Sequence, residues 1–156
     1  MSLRLIRDYL DKERVKYTVL SHSPAFTAQE IAAATHITGH RVAKCVILSM
    51  DGELAIAVLP ASCNVDLDLL GWIAGAERVE LATEAEFRDR FPDCETGAMP
   101  PFGNLYGMPV FVSEELAAEE TITFNGGTHT ELVQMAYSDF ERLVRPKIIE
   151  FARPRI

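Results

Sequence analysis

The chain is poor in the residue patterns that metal or covalent enzymes need. Its four histidines (His22, His36, His40 and His129) and three cysteines (Cys45, Cys63 and Cys94) lack the spacing of a zinc site. No two cysteines form a CxxC pair, and Cys45 and Cys63 lie in or beside apolar strands, so free thiols in a reducing cytoplasm are expected. There is no GxGxxG and no Walker loop, which removes a dinucleotide or a nucleoside triphosphate from the expected ligands. There is no GxSxG elbow either. No apolar run reaches the length of a membrane span, and no signal-peptide pattern opens the chain. No metal, no cofactor and no membrane are therefore expected.

Positive charge is also scarce. Lys and Arg total 15 against 23 Asp and Glu, a net charge of −8, which argues against coating nucleic acid through a general field. Gripping one nucleotide end is still allowed. The basic residues gather late: Arg142, Arg145, Lys147, Arg153 and Arg155 face only Glu150 from Arg142 onward. Such a tail either touches phosphate or is simply solvated.

What is present suits a packed core. With 156 residues and 48% hydrophobic residues, residues 1–156 are expected to form one domain. Leu3, Ile6 and Leu10 have helical spacing. Tyr17 to Leu20 reads as a short strand, and Thr27-Ala28-Gln29-Glu30 as a capping box opening a helix to Ala34. Asp51-Gly52 between Val46-Ile47-Leu48 and Leu54 to Leu59 predicts a two-residue hairpin. Asp66 caps a short helix, Val79 to Leu81 is a strand, and Thr83 to Glu86 is a second capping box for a helix ending near Phe91. A strand at Met108 to Val112 follows. A second hairpin comes next, with strands at Thr121 to Phe124 and Glu131 to Met135. Ser138 to Glu141 reads as a third capping box, for a helix stopped by Pro146. Short strands, hairpins and interspersed helices predict an α/β fold with a mixed, mostly antiparallel sheet, partly barrel-like and surrounded by helices.

Lys44 is out of place in this pattern. It lies in Arg41-Val42-Ala43-Lys44-Cys45-Val46-Ile47-Leu48, which otherwise reads as a strand buried on both faces. An ammonium there is costly to desolvate without a polar or anionic partner. Either its stem packs while its head snorkels to water, or the charge serves a site. The second unusual feature is Thr96-Gly97-Ala98-Met99-Pro100-Pro101-Phe102-Gly103. Gly97 permits close backbone approach, and Pro100-Pro101 stiffens the loop into an apolar wall. Such a loop can orient a carbonyl by amide hydrogen bonds while water attacks, or it can be a rigid surface connection.

Taken in order, Tyr17 to His22, Thr27-Ala28-x-Glu30, Val42-Ala43-Lys44, Val58-Leu59-Pro60-Ala61 and Val65-Asp66-Leu67 resemble the YbaK/EbsC family. Thr96-Gly97 through Gly103 and Asn125-Gly126-Gly127-Thr128-His129 extend the resemblance from about Leu3 to Val144. Each motif is weak alone, and their ordered combination is specific. The family includes the editing domain of bacterial prolyl-tRNA synthetases and its free-standing relatives.

The resemblance implies metal-free hydrolysis of the ester joining a wrong, small amino acid to tRNA, commonly tRNA-Pro. The partner is then the aminoacyl-tRNA 3′ end, with a synthetase as a second partner left open. Lys44, Gly97 and Ala98 fall on the implied catalytic positions, Lys44 holding the terminal adenosine region and the amides near Gly97 and Ala98 orienting the carbonyl. His22, Thr27, Met99, Pro100, Pro101, Phe102, Gly103, Gly127 and His129 fall on implied substrate-binding positions. The alternative is a non-catalytic member that binds an aminoacyl or nucleotide ligand, or a partner protein, in the same cleft.

Overall fold

The computed structural model describes residues 2–21 and 42–154, with side chains from Arg4 onward. Helix α1 (Ser2–Lys12) buries Ile6 and Leu10 and turns Arg4 and Asp8 to solvent, as a 3.6-residue period requires. Arg14, at φ 57°, reverses the chain into β1 (Tyr17–Ser21). Strand β2 (Ala43–Met50) then runs into β3 (Glu53–Pro60), with Asp51 and Gly52 both at positive φ in the tight turn that Asp-Gly favours. Their register runs unbroken from Ala43↔Pro60 to Met50↔Glu53.

Further strands extend this hairpin. Strand β5 (Val79–Leu81) pairs antiparallel with β2, β6 (Val110–Ser113) parallel with β3, and β9 (Lys147–Ile149) parallel with β6. A second sheet sets β8 (Glu131–Ala136) between β1 and β7 (Thr121–Asn125), both antiparallel. Strands β4 (Cys63–Val65) and β10 (Ala152–Pro154) form a small pair. A parallel bridge, Val42↔Thr123, brings the start of β2 against β7. Among the described residues the strands form three open sheets, so the mixed α/β fold is as expected but the barrel-like closure is not made.

Two apolar clusters occupy the two faces of the central sheet. Ala43, Ile47, Ile56, Val58, Val110 and Val112 pack with Phe102, Phe124 and Phe140. Leu48, Ala55, Ala57, Leu59 and Phe111 pack with Leu70 and Phe151 on the other side. Burial on both faces is why β2, β3 and β6 read as near-continuous apolar runs.

Among the described residues the remaining α-helices are α2 (Leu67–Ala74), α3 (Glu84–Phe87), α4 (Glu114–Ala117) and α5 (Tyr137–Val144). The Asp66 cap and the Thr83–Glu86 capping box form as expected. The expected Ser138 box does not, because α5 starts at Tyr137 after Ala136 with no side-chain cap. Instead the Tyr137 N–H is taken by the Glu120 carbonyl. Strand β6 begins at Val110 rather than Met108, since Pro109 has no N–H to give a ladder. The helix expected from Thr27 lies outside the described residues.

Candidate functional site

The bridge between Val42 and Thr123 brings the start of β2 against β7 just before Lys44. Ala43 and Phe124, the next residues of the two strands, are core residues of the same cluster. Lys44 in β2 and Asn125 in β7 leave their strands on the face opposite those two. That face carries polar residues along β7 and β8. Thr123 is fully buried and accepts from Gln134 Nε2 at 3.2 Å. Asn125 is nearly buried and donates through Nδ2 to the Thr128 carbonyl at 3.2 Å, which shapes the turn after β7. Lys44 is half-buried, and Nζ donates to Asn64 Oδ1 on β4 at 3.4 Å, a long bond that is not its sole interaction. The ammonium thus meets a neutral amide oxygen at the half-buried end of β2.

The turn from Asn125 also holds the glycine-proline loop. The Glu95 N–H donates to the Gly127 carbonyl at 2.8 Å, and the His129 N–H donates to Glu95 Oε1 at 2.7 Å. His129 Nε2 lies 2.8 Å from the Thr96 carbonyl. A carbonyl only accepts, so Nε2 carries the proton in this contact. Gly97, at φ 87° and exposed, packs against the same imidazole, where a Cβ would stand 3.3 Å from Cε1. Gly97 is therefore tied to the Asn125–His129 turn, and Lys44 lies two residues beyond the bridge that joins β2 to β7, the strand that ends at Asn125. The Thr128 Oγ1 hydroxyl is buried in that turn without a hydrogen-bond partner among the described residues.

The loop treats its expected ligand-binding residues unequally. The Ala98 N–H closes a turn onto the Glu95 carbonyl at 3.0 Å and its methyl is fully buried, so its amide is already committed. Among the described residues the Gly97 N–H meets the Met99 thioether at 3.2 Å, a weak acceptor. Phe102 belongs to the core cluster. It is fully buried and stacks edge-on with Tyr9, Phe124 and Phe140 at 5.4–5.7 Å. Gly103 is likewise a packing position, since a Cβ would run into the Met108 carbonyl and the Val110 side chain. Met99 packs in the core cluster, and Pro100 and Pro101 are buried. Gly127, at φ 103°, belongs to the turn itself. His22 and Thr27 lie outside the described residues.

Sequence reading missed Glu95, Asn64 and the polar row of buried Thr123 and Asn125 with half-buried Gln134. Only the period of two along Thr121 to Asn125 hinted at that row. Beside the site, burial pushes the Cys45 thiol up, and Cys94 adds to the effect. Cys94 in turn lies 3.5 Å from the Tyr106 hydroxyl, whose ionisation burial also disfavours. Among the described residues no group of three His, Cys, Asp or Glu side chains is placed to hold a metal.

Residues 22–143, spanning both the Lys44 strand and the Gly97 loop, match the family model of the aminoacyl-tRNA editing domain. The chain belongs to that family. By that membership this editing domain is an aminoacyl-tRNA deacylase. It is similar to the Multifunctional Ser/Thr-tRNA deacylase ProXp-y of Escherichia coli K12, at 26% identity over 150 residues, covering 92% of this chain and 89% of the relative. It is 21% identical over 142 residues to the Prolyl-tRNA editing protein ProX of Acetoanaerobium sticklandii, covering 87% and 86% of the two chains. A solved structure described as a candidate trans-editing enzyme for prolyl tRNA synthetase matches with a TM-score of 0.83 at 20% identity, over 97% of each chain. That likeness shows the shared fold. Among the described residues no helix is long and apolar enough to cross a membrane.

Proposed function

We propose that the editing domain removes a small, wrong amino acid from the 3′ end of tRNA-Pro or a related tRNA. Water attacks the ester carbonyl carbon, the bond to the ribose oxygen breaks, and a free amino acid and a ribose hydroxyl result. The observation that carries this reading is the exposed Gly97 amide, held by a thioether that a carbonyl oxygen readily displaces. A backbone donor fixed before the substrate arrives stabilises the developing oxyanion without reorganisation. Since the Ala98 amide is committed to its turn, Gly97 carries this role and Ala98 supports the loop.

Lys44 supplies the positive charge. Its long bond to a neutral oxygen is easily exchanged for a phosphate or ribose group of the terminal adenosine, which a cation attracts far more strongly. The reaction needs no metal in this reading, because a backbone amide and an ammonium together meet the charge that develops. A chain of net charge −8 has little general pull on tRNA, which favours a synthetase as the partner presenting the acceptor end. The same reading places the protein in the cytoplasm, where free Cys45, Cys63 and Cys94 persist as thiols.

The test is single-turnover deacylation of mischarged tRNA by wild type and Lys44→Ala, with and without EDTA, alongside thermal melts. The variant is expected to lose hydrolysis while melting close to wild type, since it removes a half-buried charge that is costly to desolvate. EDTA is expected to leave the wild-type rate unchanged. A Lys44→Ala melt far below wild type would make the lysine a structural partner. Loss of activity in EDTA, restored by zinc, would overturn the metal-free step.

A further inference from the structure

The two loops at the site are joined by a carboxylate that neither family motif nor sequence pattern singles out. Glu95 binds the turn twice, giving its N–H to the Gly127 carbonyl and taking the His129 N–H on Oε1 at 2.7 Å. His129 completes the circuit through its ring, which donates to the Thr96 carbonyl and lies against Gly97. We propose that Glu95 is a positioning residue for deacylation, one that sets the Gly97 amide by fixing His129. This rests on the role given to Gly97 above and deepens it.

The geometry separates this role from general support of the fold. The turn is already closed by the Gly126 N–H to Glu131 carbonyl bond and by the Asn125 side chain. Glu95 and His129 stand outside the packed core, where a single bond adds little to global stability. What the carboxylate does constrain is local. A charged acceptor makes a shorter, stronger bond to an N–H than a neutral one does. With His129 held, its ring fixes the peptide on the N-terminal side of Gly97, and that peptide carries the N–H proposed to meet the oxyanion.

The experiment compares wild type, Glu95→Ala and Glu95→Gln in single-turnover deacylation, together with amide hydrogen exchange of the intact protein. Glu95→Ala is expected to lower the limiting rate by roughly tenfold to a hundredfold, as a small displacement of a catalytic group does, with little change in the half-saturating tRNA concentration. Glu95→Gln keeps an oxygen at the same reach and is expected to recover most of the rate. Exchange is expected to quicken at His129 and Gly97 in Glu95→Ala and to stay unchanged through β2 and β3. Wild-type rates in Glu95→Ala would overturn the proposal. So would a loss that comes with lowered melting and faster exchange throughout the sheet, because that marks a structural role. If wild type hydrolyses none of the esters, the deacylation reading of the site fails. The exchange at His129 and Gly97 then still decides whether Glu95 orders the loop, and unchanged exchange there refutes the clamp as well.

Discussion

At Gly97 two independent constraints meet. The backbone stands at φ 87°, where a side chain costs about 1–2 kcal/mol, and the place a Cβ would take is 3.3 Å from the His129 ring. Valine, branched at Cβ, meets both. Gly97→Val is expected to cut the deacylation rate by roughly a hundredfold through displacement of the amide, because a shift near 1 Å is enough. Its melting temperature should fall by only a few degrees, the loop being exposed at that point. Met99→Leu, by contrast, conserves volume in the core and should cost less than about 1.5 kcal/mol with activity largely kept. Equal impairment of the two variants would show that the apolar side chains of the loop, and not its backbone, shape the site. Phe102 makes the same distinction from the other side: it lies in the loop motif, yet among the described residues it packs in the core.

Among the elements, α2 offers the clearest electrostatic test. Asp66 caps it by accepting from the Leu69 N–H at 3.0 Å, and its other oxygen takes Arg153 Nε at 2.8 Å, which ties β10 to the helix. One arginine of the basic tail is thus paired within the fold rather than offered to phosphate. The Leu69 N–H first, and Arg153 second, hold the Asp66 carboxyl below its ordinary value. A group depressed in the folded state stabilises the protein above its unfolded pKa, about 4, and loses that contribution as pH falls through the folded value. Asp66→Ala should therefore cost about 1 kcal/mol at pH 7, read from urea midpoints. The gap to wild type should narrow as the solution is acidified below pH about 4. A gap that widens in acid would contradict this assignment of the stabilisation to the ionised carboxylate.

For the molecule as a whole, what could be read from the sequence follows the range of the interactions involved. The Asp51-Gly52 hairpin, the Asp66 cap and the Thr83 box were legible because each is decided within a few residues. Ser138 misled because the Glu120 carbonyl, far away in sequence, satisfies the start of α5 instead. Lys44 and Gly97 were legible as oddities, one a charge in an apolar strand and the other a glycine before two prolines. The tie of Gly97 to the Asn125–His129 turn depends on Glu95, and the approach of the Lys44 strand to β7 on the Val42↔Thr123 bridge, contacts across dozens of residues that no local pattern encodes. The burial of Met99 to Phe102 was hidden for the same reason, since an apolar loop reads alike whether it lines a cleft or fills a core. We propose that the Gly97 backbone and the His129 ring packed against it set the selectivity. A rigid backbone and ring there reject bulk more firmly than a missing methylene rewards it. The most direct measurement of the central claim is the rate at which the wild-type protein deacylates a panel of aminoacyl-tRNAs under identical conditions. Alanyl, seryl, threonyl or cysteinyl esters should be hydrolysed, while prolyl and phenylalanyl esters are spared. Comparable rates on phenylalanyl-tRNA and alanyl-tRNA would contradict a small editing site built on the Gly97 amide.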